Sequence, residues 1–252
     1  MMISMLMLSI TLLVEAKPDE NTVAIWLFEE GDGEVVEDAS QNGHAGEIIG
    51  TLEWVETEFG TGLKFPGDGS GYILIDSTKH LELHKLSIEA FVKVEASTGK
   101  WQGIVCKQRA GCADRNYGIW VNPNTNALHA EIGANGQCGF NVGGQTVLTD
   151  NEWHHLAFTF DGETGRVYVD GELEAEKANA VSFQSDTPLT IGTPQPENPN
   201  GLLGIIEAVR ISNVARTQEE IRETIDLGLD QIADVAPGGK LTTRWGYIKH
   251  IQ

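Results

Sequence analysis

The chain has 252 residues, 40% of them hydrophobic, and a formal net charge of −20 from 17 basic and 37 acidic residues. A nucleic-acid-binding protein needs a basic surface that displaces counterions from phosphates, so this balance argues against that class. The 29 glycines predict many turns. The excess of acid has two interpretations: it keeps the protein soluble, or some of the carboxylates hold a hard cation such as Ca²⁺.

The N-terminus has the composition of a removable export signal. Residues 5–14 form an apolar stretch that is too short to cross a bilayer. Val14 and Ala16 supply a cleavage site of small or apolar residues, although no Lys or Arg precedes the apolar stretch. We therefore interpret residues 1–16 as a signal peptide and expect a secreted or cell-surface protein without a stable membrane span.

Short segments of alternating hydrophobicity follow the leader. Leu156, Phe158 and Phe160 alternate with smaller residues, and Asp-Gly pairs at 161–162 and 170–171 supply turns. This pattern indicates a β-meander. The same criteria predict strands at Val23–Phe28, Leu63–Phe65, Tyr72–Ile75, Leu86–Val94, Gly103–Lys107, Tyr117–Val121, Leu128–Ile132, Thr146–Leu148, His155–Phe160, Arg166–Val169, Pro188–Ile191 and Ile205–Ile211.

One helix is predicted near the C-terminus. Thr217 is a favourable N-cap residue, and Glu220 completes a capping box with it. Ile221, Ile225 and Leu229, or alternatively Ile221 and Leu229 with Ile232, then give the helix an apolar stripe.

The order of these segments predicts a leader, one domain and a tail. Residues 193–201 contain three prolines and cannot form a central strand, so we interpret them as a loop. The single domain is expected to occupy residues 17–226. Residues 227–252 form a tail to which the sequence assigns no role.

The three cysteines allow one intramolecular disulfide. The strands near 117–122 and 127–133 are joined by a short turn, so a hairpin pairs positions whose numbers sum to about 249. Cys112 and Cys138 then face each other just beyond the paired region, within bridging reach. We predict a Cys112–Cys138 disulfide formed in an oxidising compartment, with Cys106 as a buried thiol. Three unpaired cysteines are the alternative.

The alternation also predicts a surface for a ligand. In the strand that carries Glu89 and Phe91, the aliphatic residues face the core and these two face outward. The hairpin register pairs Trp120 with His129 on the outer side and places Glu131 beside them. Aromatic rings flanked by carboxylates suit the C–H faces and hydroxyls of a sugar. We therefore predict that these five residues share a ligand-binding face; the alternative is that a loop or the C-terminal helix covers the rings.

Several motifs occur in order at the spacing of a β-sandwich. Residues 153–162 read W-H-H-L-A-F-T-F-D-G, residues 206–211 read I-E-A-V-R-I, and residues 26–33 read W-L-F-E-E-G-D-G. They resemble W-H-H-x-A-x-x-[FY]-D-G, I-D-E-V-R-I and W-x-F-[DE]-E-G-x-G of the LamG-like jelly-roll family, within the concanavalin A-like lectin/glucanase group. The resemblance implies an all-β fold: a two-sheet antiparallel jelly-roll β-sandwich with one short C-terminal helix. Members of such families usually bind or adhere.

The resemblance also implies a metal site. Relatives in this group often hold a structural Ca²⁺ between an early D-x-S-x-N loop and the last strand, and residues 38–46 (D-A-S-Q-N-G-H-A-G) are similar to that loop. The implied ligands are oxygens of Asp38, Asn42 and Glu207, which is the ligand type that Ca²⁺ takes. The alternative is an Asx-turn at Asp38 and a Glu207 carboxylate that pairs with an arginine.

The sequence contains none of the catalytic patterns sought. The E-x-D-x-x-E strand of laminarinase-type glycosidases, G-x-S-x-G and H-E-x-x-H do not occur in it. We therefore expect a secreted, non-catalytic module that recognises carbohydrate or a glycosylated surface. The first alternative is a protein–protein adhesion or cell-surface structural module, and the second is a glycosidase with a rewired motif.

Overall fold

The computed structural model describes residues 19–134, 137–178, 184–198 and 200–229, without the side chains of residues 134, 137 and 138. The predicted leader and residues 230–252 of the predicted tail lie outside this range. The strands are β1 (Thr22–Trp26), β2 (Val35–Val36), β3 (Gly46–Gly50), β4 (Glu53–Glu56), β5 (Thr61–Pro66), β6 (Gly71–Ile75), β7 (Leu86–Val94), β8 (Gln102–Lys107), β9 (Tyr117–Val121), β10 (Leu128–Ala134), β11 (Gln137–Gly143), β12 (Trp153–Phe160), β13 (Gly165–Val169), β14 (Glu172–Lys177), β15 (Leu189–Ile191) and β16 (Leu203–Ser212). The helix α1 spans Gln218–Leu227, and 3-10 turns occur at Lys79–Leu81 and Gly111–Ala113.

Within the described residues the strands form two antiparallel sheets. Sheet A has the order β14-β13-β12-β7-β16-β5-β4, and β1 also pairs with β16. Sheet B has the order β11-β10-β9-β8-β15-β6-β3-β2. Half of the paired strands are not neighbours in the chain, and the chain crosses between the sheets repeatedly, as a jelly roll does. The expected two-sheet antiparallel β-sandwich with one C-terminal helix is confirmed.

The core lies between the two sheets and is built from every second residue of the strands. Ile88 in β7, Ile119 in β9 and Phe158 in β12 are all fully buried and belong to one apolar cluster. Packing the inner faces of two sheets together produces this pattern, because side chains alternate across each strand. The period-two prediction of the core is confirmed.

The hairpin between β13 and β14 shows how the turn residues act. Asp170 and Gly171 both have positive φ, at 53° and 78°, and Val169 pairs with Glu172 across them. Two consecutive left-handed residues form the turn that matches the twist of a two-residue hairpin, and Asp-Gly is a favoured pair for it. The predicted turn at 170–171 is confirmed.

The structure lacks one predicted strand and contains five that were not predicted, β2, β3, β4, β11 and β14. Thr146–Leu148 is a loop, because its backbone is held by the Glu174 carboxylate, which accepts from Gln145 N at 2.8 Å and from Thr146 N at 3.2 Å. Strand β14 was not predicted, because its sequence E-L-E-A-E-K is mostly charged and none of its residues is fully buried. It lies at the edge of sheet A, where charged residues are tolerated.

Helix α1 begins as predicted. Thr217 Oγ1 accepts from Glu220 N, and Glu220 Oε2 accepts from Thr217 N, which completes the capping box. The buried stripe of Ile221, Ile225 and Leu229 packs on the outer face of sheet A, against Phe91 and its neighbours. The folded unit therefore continues to Leu229. Among the described residues, no helix is long and apolar enough to span a bilayer.

Candidate functional site

The five predicted ligand-binding residues do not share one face. Glu89 and Phe91 lie in β7 of sheet A, whereas Trp120, His129 and Glu131 lie in β9 and β10 of sheet B. Outward side chains of the two sheets point to opposite sides of the sandwich. Alternating hydrophobicity shows which side chains of a strand face the core and which face outward, but it does not show to which sheet the strand belongs. The prediction of one shared face is wrong for this reason.

Glu89 and Phe91 are also inaccessible. Both are 0% exposed, because α1 covers the outer face of sheet A at this point. Phe91 packs edge-to-face against His155, with ring centroids 4.7 Å apart. The alternative left open by the sequence, a covering C-terminal helix, is the arrangement observed for these two residues.

The remaining three residues are brought together by the predicted hairpin. His129 pairs with Trp120, and Glu131 pairs with Gly118, in the register expected from the sequence. Across the hairpin's other edge, His129 pairs with Gly143 of β11 and Glu131 with Asn141. Cross-strand partners point to the same side of a sheet, so these residues form adjacent rows on the outer face of sheet B.

A tryptophan absent from the prediction completes the group. Trp101 immediately precedes β8, and its ring lies 4.7 Å from the His129 ring between centroids. It is 36% exposed, whereas the side chains of His129 and Glu131 are 12% and 13% exposed. Trp101 was missed because it stands outside the alternating part of the strand, although an aromatic residue next to a strand and off its core face is a usable signal. We call Trp101, Arg115, Trp120, His129 and Glu131 the Trp101 cluster.

Trp120 supports the cluster from within and is not a surface platform. It is 3% exposed, and its indole lies over the Cα of Gly118, where a Cβ would come within 2.6 Å of the ring. Arg115 covers the ring, with Cζ 4.6 Å from the centroid, which is within cation–π distance. The expectation that Trp120 is exposed is wrong because these two neighbours enclose it.

The charged groups of the cluster satisfy one another. Glu131 pairs with Arg115 Nη1 through one oxygen and with His129 Nε2, at 2.9 Å, through the other. Arg115 Nε also donates to Gln108 Oε1. Burial, together with the positive charges of Arg115 and Lys177, lowers the pKa of His129 to about 4. His129 is therefore neutral at physiological pH, and its ring acts as an uncharged support beneath Trp101.

A loop borders this face on one side. Thr193 and Pro194 lie over Gly103 of β8, where a Cβ would clash with their backbone at 2.3–2.7 Å. Gln195 Oε1 accepts from Gln108 Nε2 at 3.4 Å and so connects the loop to Arg115 through Gln108. Opposite this loop, at the β11 edge, Gly143 is exposed, and a Cβ there would meet only Leu128 O at 3.7 Å.

The predicted calcium ligands are engaged otherwise. Asp38 accepts from Ser40 N at 2.9 Å and Ile25 N at 3.1 Å through Oδ1, and from His44 N at 3.0 Å through Oδ2. Asn42 Nδ2 donates to the carbonyls of Thr22 and Val23. The Asp38 contacts are those of an Asx-turn.

Glu207 is in different surroundings. Its Oε1 lies near Gly60, at the hairpin between β4 and β5, where a Cβ would be 3.9 Å away. Asp38, by contrast, bonds Ile25, whose partner on β16 is Arg210. No group of three His, Cys, Asp or Glu suited to a metal occurs in the portion of the chain that is described. The Asp38 contacts agree with the Asx-turn alternative, and the Asp38–Asn42–Glu207 calcium site stays a prediction.

The cysteine prediction is confirmed in part. Cys106 is free and fully buried, and burial raises the pKa of its thiol. The 3-10 turn that carries Cys112 packs against β11. The side chain of Cys138 lies outside the described residues, so the Cys112–Cys138 disulfide stays a prediction.

Residues 67–222 match a family model described as the concanavalin A-like lectin/glucanases superfamily. No curated protein matches the sequence.

Solved structures share the fold at low sequence identity. The binding domain of Paraclostridial Mosquitocidal Protein 1 is 12% identical, with a TM-score of 0.67, over 82% of this chain and 52% of that chain. Domain 4 of AbnA, an extracellular arabinanase from Geobacillus stearothermophilus in complex with arabinotriose, is 19% identical, with a TM-score of 0.60, over 81% and 97%. Trypanosoma rangeli sialidase in complex with sialic acid is 20% identical, with a TM-score of 0.64, over 85% and 34%. The match thus spans about half of the first of these chains and a third of the sialidase.

Proposed function

The chain belongs to the concanavalin A-like lectin/glucanase superfamily, and from this premise we propose that it is a secreted, non-catalytic module that binds carbohydrate through the Trp101 cluster. The observation that carries the proposal is the partly exposed ring of Trp101, which contacts a neutral His129 at an interplanar angle of 59° on the sheet face that no helix covers in the described residues. A partly exposed, rigidly supported indole presents a flat apolar surface to the C–H groups of a sugar.

The neighbouring structures support carbohydrate as the ligand class. One is an arabinanase domain in complex with arabinotriose, and others are named as binding domains. Export is supported by the apolar N-terminal stretch followed by Val14 and Ala16. A non-catalytic role is supported by Glu131, whose two oxygens are engaged by Arg115 and His129 and are not poised as a general acid or base. We do not include a calcium ion in this proposal, because the Asp38 carboxylate accepts hydrogen bonds from the backbone N–H groups of its own turn and of Ile25.

The experiment is a glycan array followed by affinity electrophoresis on a polysaccharide panel. Wild-type protein should be retained by at least one glycan, and Trp101→Ala should weaken that retention at least about tenfold, as truncation of an aromatic anchor does. Leu173→Ala is the matched control, since Leu173 is a 44% exposed apolar residue on the edge of sheet A. It should leave retention unchanged.

Each outcome has a distinct meaning. Retention that survives Trp101→Ala in a folded variant refutes the Trp101 cluster as the binding site. Silence of the wild-type protein on every glycan refutes carbohydrate binding and favours the protein–protein adhesion module. Release of reducing sugar from any polysaccharide overturns the non-catalytic assignment.

A further inference from the structure

The outward residues of four neighbouring strands form one row across sheet B. Gly103 in β8 pairs with Trp120 in β9, which pairs with His129 in β10, which pairs with Gly143 in β11. The row is closed at the β8 end, where Thr193 and Pro194 lie over Gly103. It is open at the β11 end, because Gly143 is exposed and carries no side chain.

The open part of the row is flat and longer than one sugar ring. From β9 to β11 it crosses two interstrand spacings, about 10 Å. Trp101 supplies the exposed ring above His129, and Gly143 continues the surface as bare backbone up to the edge of the sheet. Two hollows in the described part of the chain lie beside α1, at Arg216 and at Arg222, on the side of sheet A. A flat surface that ends at an open edge suits the middle of a chain, whereas a pocket suits its terminus.

The charges of this face favour an uncharged ligand. Two described cations close to His129 are engaged: Arg115 pairs with Glu131, and Lys177 donates to Asn141 O at 3.1 Å and lies 5.1 Å above the Phe140 ring. The whole chain carries a formal net charge of −20, which repels a polyanion. The overall potential of the chain is therefore unfavourable for an acidic glycan.

From these observations we infer that the ligand is a neutral polysaccharide, bound along its chain and not at its end. Its path crosses the strands from Trp101 over His129 and leaves the sheet at Gly143. This inference rests on the proposed carbohydrate-binding function and adds to it the class of glycan and the mode of binding.

The experiment has two arms, both read by titration calorimetry with oligosaccharides of the glycan that retains the wild-type protein. In the first, affinity should rise at least about tenfold from the monosaccharide to the tetrasaccharide, since additional sugars reach additional surface. In the second, Gly143→Trp should weaken tetrasaccharide binding at least about tenfold, whereas Gly143→Ala should have little effect. Both substitutions suit the fold, because the Cβ position of Gly143 is open and its φ is not positive.

The control for bulk is Leu173→Trp at the edge of the other sheet, which should not alter binding. Equal affinity for mono- and tetrasaccharide, or tetrasaccharide binding that is unaffected by Gly143→Trp, overturns the inference while the Trp101→Ala result still supports the proposed function. Preference for a uronic-acid polymer over its neutral counterpart also overturns it. If no glycan binds at all, the proposed function itself fails.

Discussion

Arg210 and Glu89 form an ion pair beneath helix α1. Arg210 Nε donates to Glu89 Oε2 at 2.8 Å, and the two side chains are 2% and 0% exposed. They stand opposite each other on β16 and β7, the central strands of sheet A. Arg210 Nη2 also donates to Thr224 Oγ1 at 2.6 Å, so the pair connects the sheet to α1.

We expect Glu89→Gln to destabilise the protein by about 3–5 kcal/mol, since it leaves a buried guanidinium without its counter-charge. Burial raises the pKa of Glu89, but Arg210 and His155 outweigh it and hold the pKa at about 2. This depressed pKa contributes stability that is fully present above the unfolded value of 4.5 and is lost as pH falls through about 2. Urea denaturation at neutral and acidic pH measures both effects.

The control is Glu172→Gln, which removes an exposed ion pair with Arg222. Exposed pairs contribute about 0–1 kcal/mol, so this variant should unfold close to wild type at all pH values. Equal loss of stability in both variants would contradict the role assigned to Glu89.

The sequence predicts the contacts of this site between strands joined by a short turn, but not the contacts between residues that lie far apart in the chain. The pairing of Trp120 with His129 follows from a short turn and a period of two, and it was predicted to the residue. The assignment of Phe91 to the same face was wrong. Phe91 lies in β7 of sheet A and Trp120 in β9 of sheet B, and the sheet to which a strand belongs depends on pairings between strands that lie far apart in the chain. Trp101 reaches His129 from outside the strand alternation, so no periodic signal placed it there.

A second pH-dependent group lies in the W-H-H motif. His154 Nδ1 bonds Asp170 Oδ2 at 3.0 Å, and Nε2 bonds Asp150 Oδ2 at 3.3 Å. Burial lowers the pKa of His154, but these carboxylates outweigh it and the net pKa is raised above 6.5. The stability that it contributes is therefore fully present below pH 6.5 and is lost as pH rises through the raised value.

We expect His154→Gln to remove this part of the pH dependence of the unfolding free energy as pH rises from 6.5 through the raised pKa. The variant should be destabilised most at the acidic end of that window, where wild type has the charged imidazolium. Leu173→Ala, which removes no titrating group, serves as the control and should keep the wild-type slope. If His154→Gln also keeps the wild-type slope, the two carboxylate contacts do not govern the titration.

The turn at Asp38 gives a prediction about calcium. Because the carboxylate is engaged by three backbone N–H groups, the melting temperature should be the same in Ca²⁺ and after dialysis against EDTA. Asp38→Ala should instead destabilise the protein by about 1–3 kcal/mol in either condition, since it leaves the buried Ile25 N–H without an acceptor. Calorimetric melting of both proteins in both buffers makes the comparison. A rise in the wild-type melting temperature with Ca²⁺ that Asp38→Ala abolishes would restore the metal site.

The last prediction concerns the cysteines. Cys106 is fully buried with a raised thiol pKa, so it should not react with a thiol reagent in the native protein. If Cys112 and Cys138 are bridged, denatured protein without reductant should show one thiol, and denatured reduced protein should show all three. The bridge closes a long loop in the unfolded chain, so the double variant Cys112→Ala/Cys138→Ala should lose about 3 kcal/mol of stability, and reduction should then have no further effect on it. Three reactive thiols in denatured, unreduced protein purified from an oxidising compartment would exclude the disulfide.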